Sequence, residues 1–404
     1  MSLPFKTLDD VEYAGKRIIM RADMNCSVDS ETKEITDSSR IEAILPTLED
    51  LSKSTVVLMA HQGRPGSDDF ISLRPHTEIL QKHGIRASFV DDIFGDEAKS
   101  SIKDLELGEV LVLQNVRYFD GELKKAPVEE VAKEPLVQEL YPLFDLFVND
   151  AFGAAHRSQA SLVGFTPYLP SVAGRLMEKE IRTLTKAVGT EKHPWTLVLG
   201  GAKVEDKVKT LEKLLKTGRV DHALLGGLVA TALLVSSGEI DEKYSKPISG
   251  FDSIRDSARM LLEEYADSIV LPIDAAVERD GSRVDCSFDE MNEDPFYDIG
   301  TRTIQAFKEI VEGSAVVFAN GPMGLFEKEP FALGTEKILR AIATVDGVTV
   351  VGGGHLGAMA REMKLENKVS HISTGGGSTI NFLTGKKLEV VQALEKAAER
   401  MEKK

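Results

Sequence analysis

The feature of this sequence that most restricts its fold is an alternation between short apolar runs and longer amphipathic segments. The apolar runs are rich in β-branched residues, and most are continuously apolar rather than alternately apolar and polar. Such runs are typical of strands that are buried on both faces of a parallel sheet. The strands predicted in this way are Arg17–Arg21, Thr55–Ala60, Val110–Leu113, Leu146–Asn149, Thr196–Leu199, Ala223–Leu225, Ile269–Leu271, Val316–Phe318, Val348–Val351 and Val369–Ile372.

Amphipathic segments with apolar residues at helical spacing lie between these strands. The first is a stripe over residues 41–51 that follows Ser38 and Ser39, which are residue types suited to cap a helix. Further stripes predict helices at Leu211–Leu215, Leu333–Val345 and Val390–Met401. Strand and helix alternate along the whole chain, so we expect an α/β fold with right-handed crossovers.

The length of the chain, 404 residues, exceeds that of one ordinary core. A long charged amphipathic segment near the middle predicts a connecting helix over residues 174–188, and Lys192–Pro194 then interrupt the pattern before a new strand. We therefore predict a first domain over residues 1–173 and a second over residues 189–385. The pattern alone leaves open which domain the charged terminal helix, residues 386–404, packs on.

Charge and cysteine content restrict the partners and the location of the chain. Acidic residues outnumber basic ones by 65 to 49, so the formal net charge is −16, which argues against a nucleic-acid partner and against anionic membranes. Cys26 and Cys286 match no metal or redox spacing, which favours a reducing cytoplasm. We expect no signal peptide, and the apolar run 223–235 is too short to span a membrane.

Basic and polar residues follow the predicted strands of the first half. Ligands of open α/β sheets bind beyond the carboxyl ends of the strands. The residues at those ends are Arg21, Asp23, Asn25, His61, Arg64, Asn115, Arg117, Asp150, His156 and Arg157, with Arg40 opening the first helix. A guanidinium binds carboxylate or phosphate bidentately, so five arginines at one edge predict an anion site. His61 and His156 can equally be structural, hydrogen-bonded histidines.

Glycines follow the predicted strands of the second half. The turns are Gly200–Lys203, Gly226–Gly227, Asn320–Gly324, Gly352–Gly354 and Gly375–Gly377. Glycine allows the backbone to approach a phosphate or a flat ring closely, and a following helix N-terminus favours negative charge. Lys203 and Lys207 are placed to neutralise nucleotide phosphates, and Glu327 to accept ribose hydroxyls. For any one glycine pair, tight packing of helix on strand is the alternative.

Of two known nucleotide-binding fingerprints, this chain matches one in form and lacks the other. The spacing Gly352-x-Gly354-x-x-Gly357 matches the dinucleotide fingerprint in form. The next predicted strand, however, is followed by Ser373, Thr374 and Gly375 instead of the acidic residue that would hold a ribose. The sequence contains no G-x-x-x-x-G-K-[ST] segment, which disfavours a P-loop nucleotidase.

Taken together and in order, these motifs resemble those of the phosphoglycerate kinases. The resemblance covers nearly the whole chain, and its loops are short, as in the archaeal branch. It is carried by Arg21–Asn25, His61–Pro65, Val148–Arg157, Leu199–Lys207, Ala319–Pro322 with Phe326–Glu327, and Val369–Gly377. It implies two Rossmann-like domains, each a parallel sheet flanked by helices, that face each other across a hinge cleft, with the terminal helix returning to the first domain.

The resemblance also implies an activity and residue roles. The activity is reversible phosphoryl transfer between ATP and the carboxylate of 3-phosphoglycerate, giving ADP and 1,3-bisphosphoglycerate, in glycolysis and gluconeogenesis. The implied substrate contacts are Asp23, Asn25, Arg40, His61, Arg64, Arg117 and Arg157. The implied nucleotide contacts are Gly201, Ala202, Lys203, Lys207, Gly226, Asn320, Pro322, Glu327, Gly353, Gly354 and His355. Arg40, Lys207 and the backbone at Gly376 and Gly377 would stabilise the phosphoryl group during transfer.

This chain departs from the family pattern at two places. Members commonly have Asn-Val-Pro where Asn25-Cys26-Ser27 stands here, and many have Asp-Thr after the glycine triplet where this chain has His355-Leu356. A neutral imidazole is a poor ligand for Mg²⁺, so the magnesium ligand is unassigned. We expect Mg²⁺ to be held mainly by the nucleotide phosphates and water.

Two other classes of function stay open on the residues alone. One is an NAD-dependent dehydrogenase that would use the fingerprint at Gly352. The other is a non-catalytic protein with two α/β lobes that binds a phosphorylated ligand, although the glycine turns of the second half would then have no role. The sequence does not determine the oligomeric state, for which we expect a monomer and leave a dimer open.

Overall fold

A computed structural model describes residues 3–403 of the chain. The chain divides into two compact units, of which the first comprises Met1–Arg182 and Gly385–Lys404 and the second comprises Thr183–Thr384. The division falls inside the helix Arg175–Val188, which therefore connects the two.

The first unit is built on a six-stranded parallel sheet. The strands of the whole unit, in chain order, are β1 (Arg17–Ala22), β2 (Ser27–Val28), β3 (Ile35–Asp37), β4 (Thr55–Met59), β5 (Ala87–Phe89), β6 (Val110–Val112), β7 (Leu146–Asp150) and β8 (Ser171–Ala173). The sheet order is β5-β6-β4-β1-β7-β8, and β2 and β3 form a separate antiparallel pair. Strands β4, β6 and β7 are buried along their whole length, as continuously apolar runs predict.

Helices cover this sheet. They are α1 (Ser39–Glu42), α2 (Leu45–Asp50), α3 (Arg74–Lys82), α4 (Asp96–Lys103), α5 (Val128–Val131), α6 (Pro135–Leu140), α7 (Ala160–Val163) and the connecting α8 (Arg175–Val188). The single helix predicted over residues 41–51 is wrong, because the segment is broken into α1 and α2. Pro46 lies in the first turn of α2, where its missing N–H is tolerated, whereas inside one long helix it would remove a backbone hydrogen bond.

The second unit is built on another six-stranded parallel sheet and a small antiparallel one. Its strands are β9 (Trp195–Leu199), β10 (His222–Leu225), β11 (Ile269–Val270), β12 (Ala275–Arg279), β13 (Ser282–Cys286), β14 (Phe296–Ile299), β15 (Val316–Asn320), β16 (Val348–Gly352) and β17 (His371–Ser373). The parallel sheet has the order β11-β10-β9-β15-β16-β17, and the antiparallel one has the order β13-β12-β14. The helices are α9 (Val204–Leu215), α10 (Gly227–Ser237), α11 (Phe251–Glu264), α12 (Thr301–Glu312), α13 (Leu333–Ile342), α14 (Gly354–Glu362) and α15 (Gly376–Leu383).

The last helix, α16 (Glu389–Glu402), belongs to the first unit. It lies against β8 and α7, and the backbone N–H of Val390 donates to the carbonyl of Ala155 at 3.1 Å. Its buried apolar face includes Val390, Leu394 and Ala397. Among residues 3–403, no helix is both long and apolar enough to cross a bilayer.

All ten predicted strands are present, with ends that differ by one or two residues. Sequence patterning missed β5 and β8, which are three residues long, and the antiparallel strands β2, β3 and β12–β14. Strand β13 carries Arg283 and Asp285 and has no buried residue, so no apolar run marks it.

Candidate active site

The register of the first sheet brings the predicted anion-binding residues to one edge. Arg21 on β1 is paired with Met59 on β4 and with Asn149 on β7. All three strands are parallel, so the residues that follow them emerge side by side at the carboxyl edge. Asp23 and His61 therefore come together, although they are distant in sequence.

Asp23 and Arg40 form a close ion pair at this edge. Nη1 of Arg40 donates to Oδ2 of Asp23, and the backbone N–H of Asn25 donates to Oδ1 of Asp23 at 3.2 Å. Burial raises the pKa of Asp23, but Arg40 and the N–H of Asn25 outweigh it and lower the pKa to about 2. A Cβ at Gly153 would overlap Oδ2 of Asp23, which explains the glycine at that position. The ligand-free site thus holds an ionised carboxylate with a guanidinium beside it.

His61 is buried and neutral. Burial and the adjacent Arg21 lower the pKa of His61 well below its ordinary value. Nη2 of Arg21 donates to Nδ1 of His61 at 3.0 Å, and the fully buried Arg21 also donates to the carbonyl of Ala22. His61 can therefore be a structural residue and a ligand contact at once. Its Nδ1 accepts the bond from Arg21, which leaves the proton on Nε2, where it can be donated to a ligand.

Arg117, Arg157 and Arg64 lie close enough to one another, and the first two also to Arg21, for their positive charges to repel. Burial lowers the pKa of Arg117 to about 10, with Arg157 and Arg21 adding to the effect. Burial also lowers the pKa of Arg157, and Arg64, which is exposed, acts in the same direction. Repulsion among like charges is relieved when an anion binds between them. This edge is therefore suited to bind a phosphate or carboxylate.

Several residues of this edge support the backbone. Oδ1 of Asn25 accepts the N–H of Gly63 at 2.8 Å, and Nη1 of Arg117 donates to the carbonyl of Gly63. Nε of Arg157 donates to Nε2 of His156 at 3.3 Å, and burial, followed by Arg157, lowers the pKa of His156 to about 4. Asn25 and Arg117 thus have structural bonds besides any contact with a ligand.

Sequence reasoning missed Gln62 as the organiser of these loops. The backbone N–H of Cys26 donates to Oε1 of Gln62 at 2.8 Å, and Nε2 of Gln62 donates to the carbonyl of Cys26 at 3.0 Å. Nδ2 of Asn115 donates to the carbonyl of Gln62 at 2.7 Å. The sequence shows only that a polar residue, Gln62, lies between His61 and Gly63. A loop this short has no periodicity from which the role of one residue could be inferred.

In the second unit, three of the predicted glycine turns pack on each other. A Cβ at Gly200 would overlap the carbonyl oxygen of Pro322, and one at Gly321 would overlap the carbonyl oxygen of Gly200. The backbone N–H of Gly227 donates to the carbonyl of Met323 at 2.6 Å. Close packing therefore accounts for the glycines after β9, β10 and β15.

Each of the remaining two turns has an open glycine, Gly354 in one and Gly376 in the other. A Cβ at Gly354 or at Gly376 would have no heavy atom within 4 Å, beyond the immediate chain neighbours. Gly354 begins α14 and Gly376 begins α15, so the first N–H groups of both helices have no carbonyl of their own helix to bond. These turns have room for a ligand and donors that favour an anion.

Lys207, in the first turn of α9, reaches across to Asn320, the last residue of β15. Its Nζ donates to the backbone carbonyl of Asn320 at 3.1 Å and also to Oδ1 of Asn320. Burial lowers the pKa of Lys207 to about 8. Lys203 is exposed immediately before the same helix, and Gly201 and Ala202 complete the turn.

The segment that follows the turn after β15 reaches the first turn of α14. Glu327 is exposed, and the ring of Phe326 lies 5.2 Å from the ring of His355 at an interplanar angle of 42°. Gly226 lies against Met323, where a Cβ would come within 2.7 Å of the sulfur. The second unit thus places Lys203, Lys207, Glu327, His355 and the open turns at the carboxyl edge of one sheet.

Metal-ligating side chains do not assemble a site of their own in the part of the chain that the structure describes. Over residues 3–403, no group of three or more His, Cys, Asp or Glu side chains is arranged to hold an ion.

Comparison with known proteins decides the family. The phosphoglycerate kinase family model matches residues 8–386. This chain belongs to the phosphoglycerate kinase family. It is 43% identical to a phosphoglycerate kinase of Methanobacterium bryantii over 400 residues, 98% of each chain. It is 44% identical to that of Archaeoglobus fulgidus over 394 residues, 96% of each chain.

Solved structures agree with this placement. The crystal structure of the phosphoglycerate kinase from Pyrococcus horikoshii OT3 matches with a TM-score of 0.90 at 37% identity, covering 98% of this chain and all of that one. The phosphoglycerate kinase from Coxiella burnetii matches with a TM-score of 0.78 at 30% identity over the same coverage. The predicted resemblance and the two parallel-sheet α/β domains with flanking helices are confirmed. A phosphoglycerate kinase is a phosphotransferase, so the family decides against the dehydrogenase alternative.

Proposed function

We propose that this chain transfers a phosphoryl group reversibly between ATP and the carboxylate of 3-phosphoglycerate, giving ADP and 1,3-bisphosphoglycerate, in glycolysis and gluconeogenesis. The observation that carries the proposal is the arginine cluster around buried Asp23 and His61. Its members lower one another's pKa values, which a doubly charged organic phosphate would reverse. The open glycine turns of the second unit supply the complementary nucleotide site.

In the first unit, the substrate would be held at both ends. Arg64, Arg117 and Arg157 would bind the phosphate of 3-phosphoglycerate, and His61 would assist by donating from Nε2. The ionised Asp23 would accept the substrate hydroxyl. Asn25 uses its Oδ1 for Gly63, so its amide N–H groups are the ones that would meet the substrate carboxylate.

In the second unit, nucleotide would bind along the carboxyl edge of the sheet. The assigned contacts are Gly201, Ala202, Lys203, Lys207, Gly226, Asn320, Pro322, Glu327, Gly353, Gly354 and His355. Lysines and helix N-termini would neutralise the phosphates, and Glu327 would accept ribose hydroxyls. Gly226 packs against Met323, so it would act mainly by holding the turns in place, whereas Gly201 has a φ of +96° and would act by allowing that backbone conformation.

The chemical step needs no general base. An oxygen of the substrate carboxylate, ionised at neutral pH, attacks the γ-phosphorus, and the bond to the β-phosphate oxygen breaks to release ADP. Arg40, Lys207 and the N–H groups of Gly376 and Gly377 would stabilise the charge on the group in transfer. Because the two binding sites lie in separate units, transfer requires those units to bring their ligands into contact and exclude water.

Magnesium would enter as part of the nucleotide substrate. His355, which follows the open glycine Gly354, is a poor ligand for a hard cation. Phosphate oxygens and water would therefore supply most of the coordination. We further propose that the chain acts on small molecules as a monomer in the cytoplasm, which its two free cysteines support.

The charge of Lys207 should make kcat/KM for magnesium ATP depend on pH. Its folded pKa of about 8 lies below the ordinary value, so the ammonium is lost as pH rises through 8. We expect kcat/KM for magnesium ATP to fall with one deprotonation near pH 8, and the fall to disappear in Lys207→Arg, whose guanidinium stays charged. A wild-type profile that is flat from pH 7 to 9.5 would count against this role.

The activity itself is tested by trapping the acyl phosphate. The protein is mixed with magnesium ATP, 3-phosphoglycerate and hydroxylamine, and hydroxamate is measured. We expect hydroxamate only when ATP, magnesium and 3-phosphoglycerate are all present. Formation no faster than in reactions without the protein would remove the kinase proposal.

A further inference from the structure

A buried network behind the arginine cluster is not used by the mechanism above. Glu122, in the 3₁₀ turn Asp120–Leu123, is 1% exposed, and Ser161 on α7 is fully buried. Oε2 of Glu122 accepts the backbone N–H of Ser161 at 3.0 Å, and Oε1 accepts its hydroxyl at 2.7 Å. Sequence reasoning singled out neither residue, since an isolated Glu and an isolated Ser carry no motif.

The donor directions of this network are determined by chemistry. The Ser161 hydroxyl donates to Oε1 of Glu122, which leaves the Ser161 oxygen to accept. Burial raises the pKa of Glu122, and Arg21 together with the two bonds from Ser161 opposes that rise. Nε of Arg21 donates to that oxygen at 2.7 Å, and Nη2 of Arg21 donates to Nδ1 of His61 at 3.0 Å. A guanidinium has no acceptor, so Nδ1 of His61 must be unprotonated. The neutral ring therefore carries its proton on Nε2.

Glu122 also supplies negative charge to the cluster. Burial lowers the pKa of Arg21, Arg117 and Arg157, and the nearby Glu122 carboxylate opposes that effect at all three. It lies in the turn that follows the one carrying Arg117. The same residue thus stabilises the guanidinium charges and anchors the hydrogen bonds that reach His61.

We propose that Glu122 and Ser161 are positioning residues for the substrate phosphate, acting through Arg21 to hold His61 as the Nε2–H tautomer. A phosphate ester oxygen only accepts hydrogen bonds at neutral pH, so an imidazole that offered its Nε2 lone pair would repel it. The relay ensures that His61 offers a donor. The identity of the ligand rests on the proposed function, whereas the tautomer of His61 does not.

The test compares Glu122→Gln and Ser161→Ala with Asp120→Asn, an acid-to-amide change at an exposed position of the same turn. Long-range ¹H–¹⁵N spectra of the ligand-free protein report the His61 tautomer, with His61→Gln used to assign the signal. Steady-state kinetics give kcat and the KM values for 3-phosphoglycerate and ATP. Circular dichroism melts report folding.

We expect the wild type and Asp120→Asn to show one Nε2–H tautomer, and the two relay variants to show a mixture. Ser161→Ala leaves the Arg21 Nε donor without its acceptor, and Glu122→Gln removes the carboxylate that holds Ser161, so in both variants Arg21 is less firmly held against His61. Each should raise KM for 3-phosphoglycerate about tenfold, with KM for ATP unchanged. If Glu122→Gln does not fold, Ser161→Ala, which removes a single oxygen, carries the test.

The outcomes separate this proposal from the proposed function. An unchanged tautomer in the folded relay variants would overturn the relay, as would equal increases in KM for both substrates. A tautomer that changes in variants of a protein without activity on 3-phosphoglycerate would leave the relay in place and remove the proposed function instead.

Discussion

Replacing Arg40 by alanine should lower kcat about a thousandfold while the dissociation constant for magnesium ATP stays at the wild-type value. Arg40 is already held against Asp23 in the ligand-free site, so it needs little reorganisation to meet the transferring group. It belongs to the first unit, whereas the proposed nucleotide contacts all belong to the second. Stopped-flow or steady-state rates together with calorimetric titration of the nucleotide measure the two quantities.

Two controls distinguish loss of the Arg40 charge at the site from misfolding and from a general loss of positive charge. Arg40→Ala leaves the carboxylate of Asp23 buried without its partner, so the variant must be shown to fold by its thermal melt. Arg86→Ala removes an exposed arginine that pairs with Glu109 in the same unit and should leave kcat unchanged. Loss of nucleotide affinity equal to the loss of kcat in Arg40→Ala would contradict the assignment of Arg40 to the transferring group.

Replacing Gly200 by alanine should destabilise the second unit by about 3 kcal/mol and abolish measurable nucleotide binding. A Cβ there would overlap the carbonyl oxygen of Pro322, which is backbone and has no rotamer by which to move away. The turns after β9 and β15 would have to separate, and Lys207 bonds to Asn320, the residue that leads from β15 into the second turn. Denaturant unfolding followed by the fluorescence of Trp195, on β9, measures the effect.

Gly313→Ala is the matched control for this change. Gly313 follows α12 in the same unit, its φ is −82°, and an added Cβ would be 3.5 Å from the nearest atom, the carbonyl oxygen of Glu309. It should leave stability within about 0.5 kcal/mol of the wild type. A Gly200→Ala protein as stable as Gly313→Ala would show that the turns can move apart, and that packing does not explain the glycine.

Much of the fold was predictable because a strand that is buried on both faces appears in the sequence as a continuously apolar run. Each of the ten apolar runs became a strand, since a strand covered on both sides has no solvent-facing positions that need polar residues. Strand β13, with Arg283 and Asp285, has no such run and was missed. The break between α1 and α2 carried a signal of its own, Pro46, whose missing N–H is incompatible with one continuous helix.

Much of the candidate site was predictable for a related reason. Parallel strands bring their carboxyl ends to one edge, so reading the residue types after each strand was enough to collect Asp23, His61, Arg117 and Arg157. The same reading could not tell the packing glycine at Gly200 from the open glycine at Gly354. That difference depends on which backbone lies opposite, and the opposing residues are far away in sequence.

The sequence by itself thus determined the strands, their parallel arrangement and the types of residue at their ends, because these depend on local pattern and on rules general to α/β sheets. Only the tertiary structure decided which buried groups face each other. Gln62, Glu122 and Ser161 act through partners 36 to 140 positions away along the chain. Hydrogen bonds at that separation leave no periodicity or spacing in the sequence, since they depend on how loops from different strands meet.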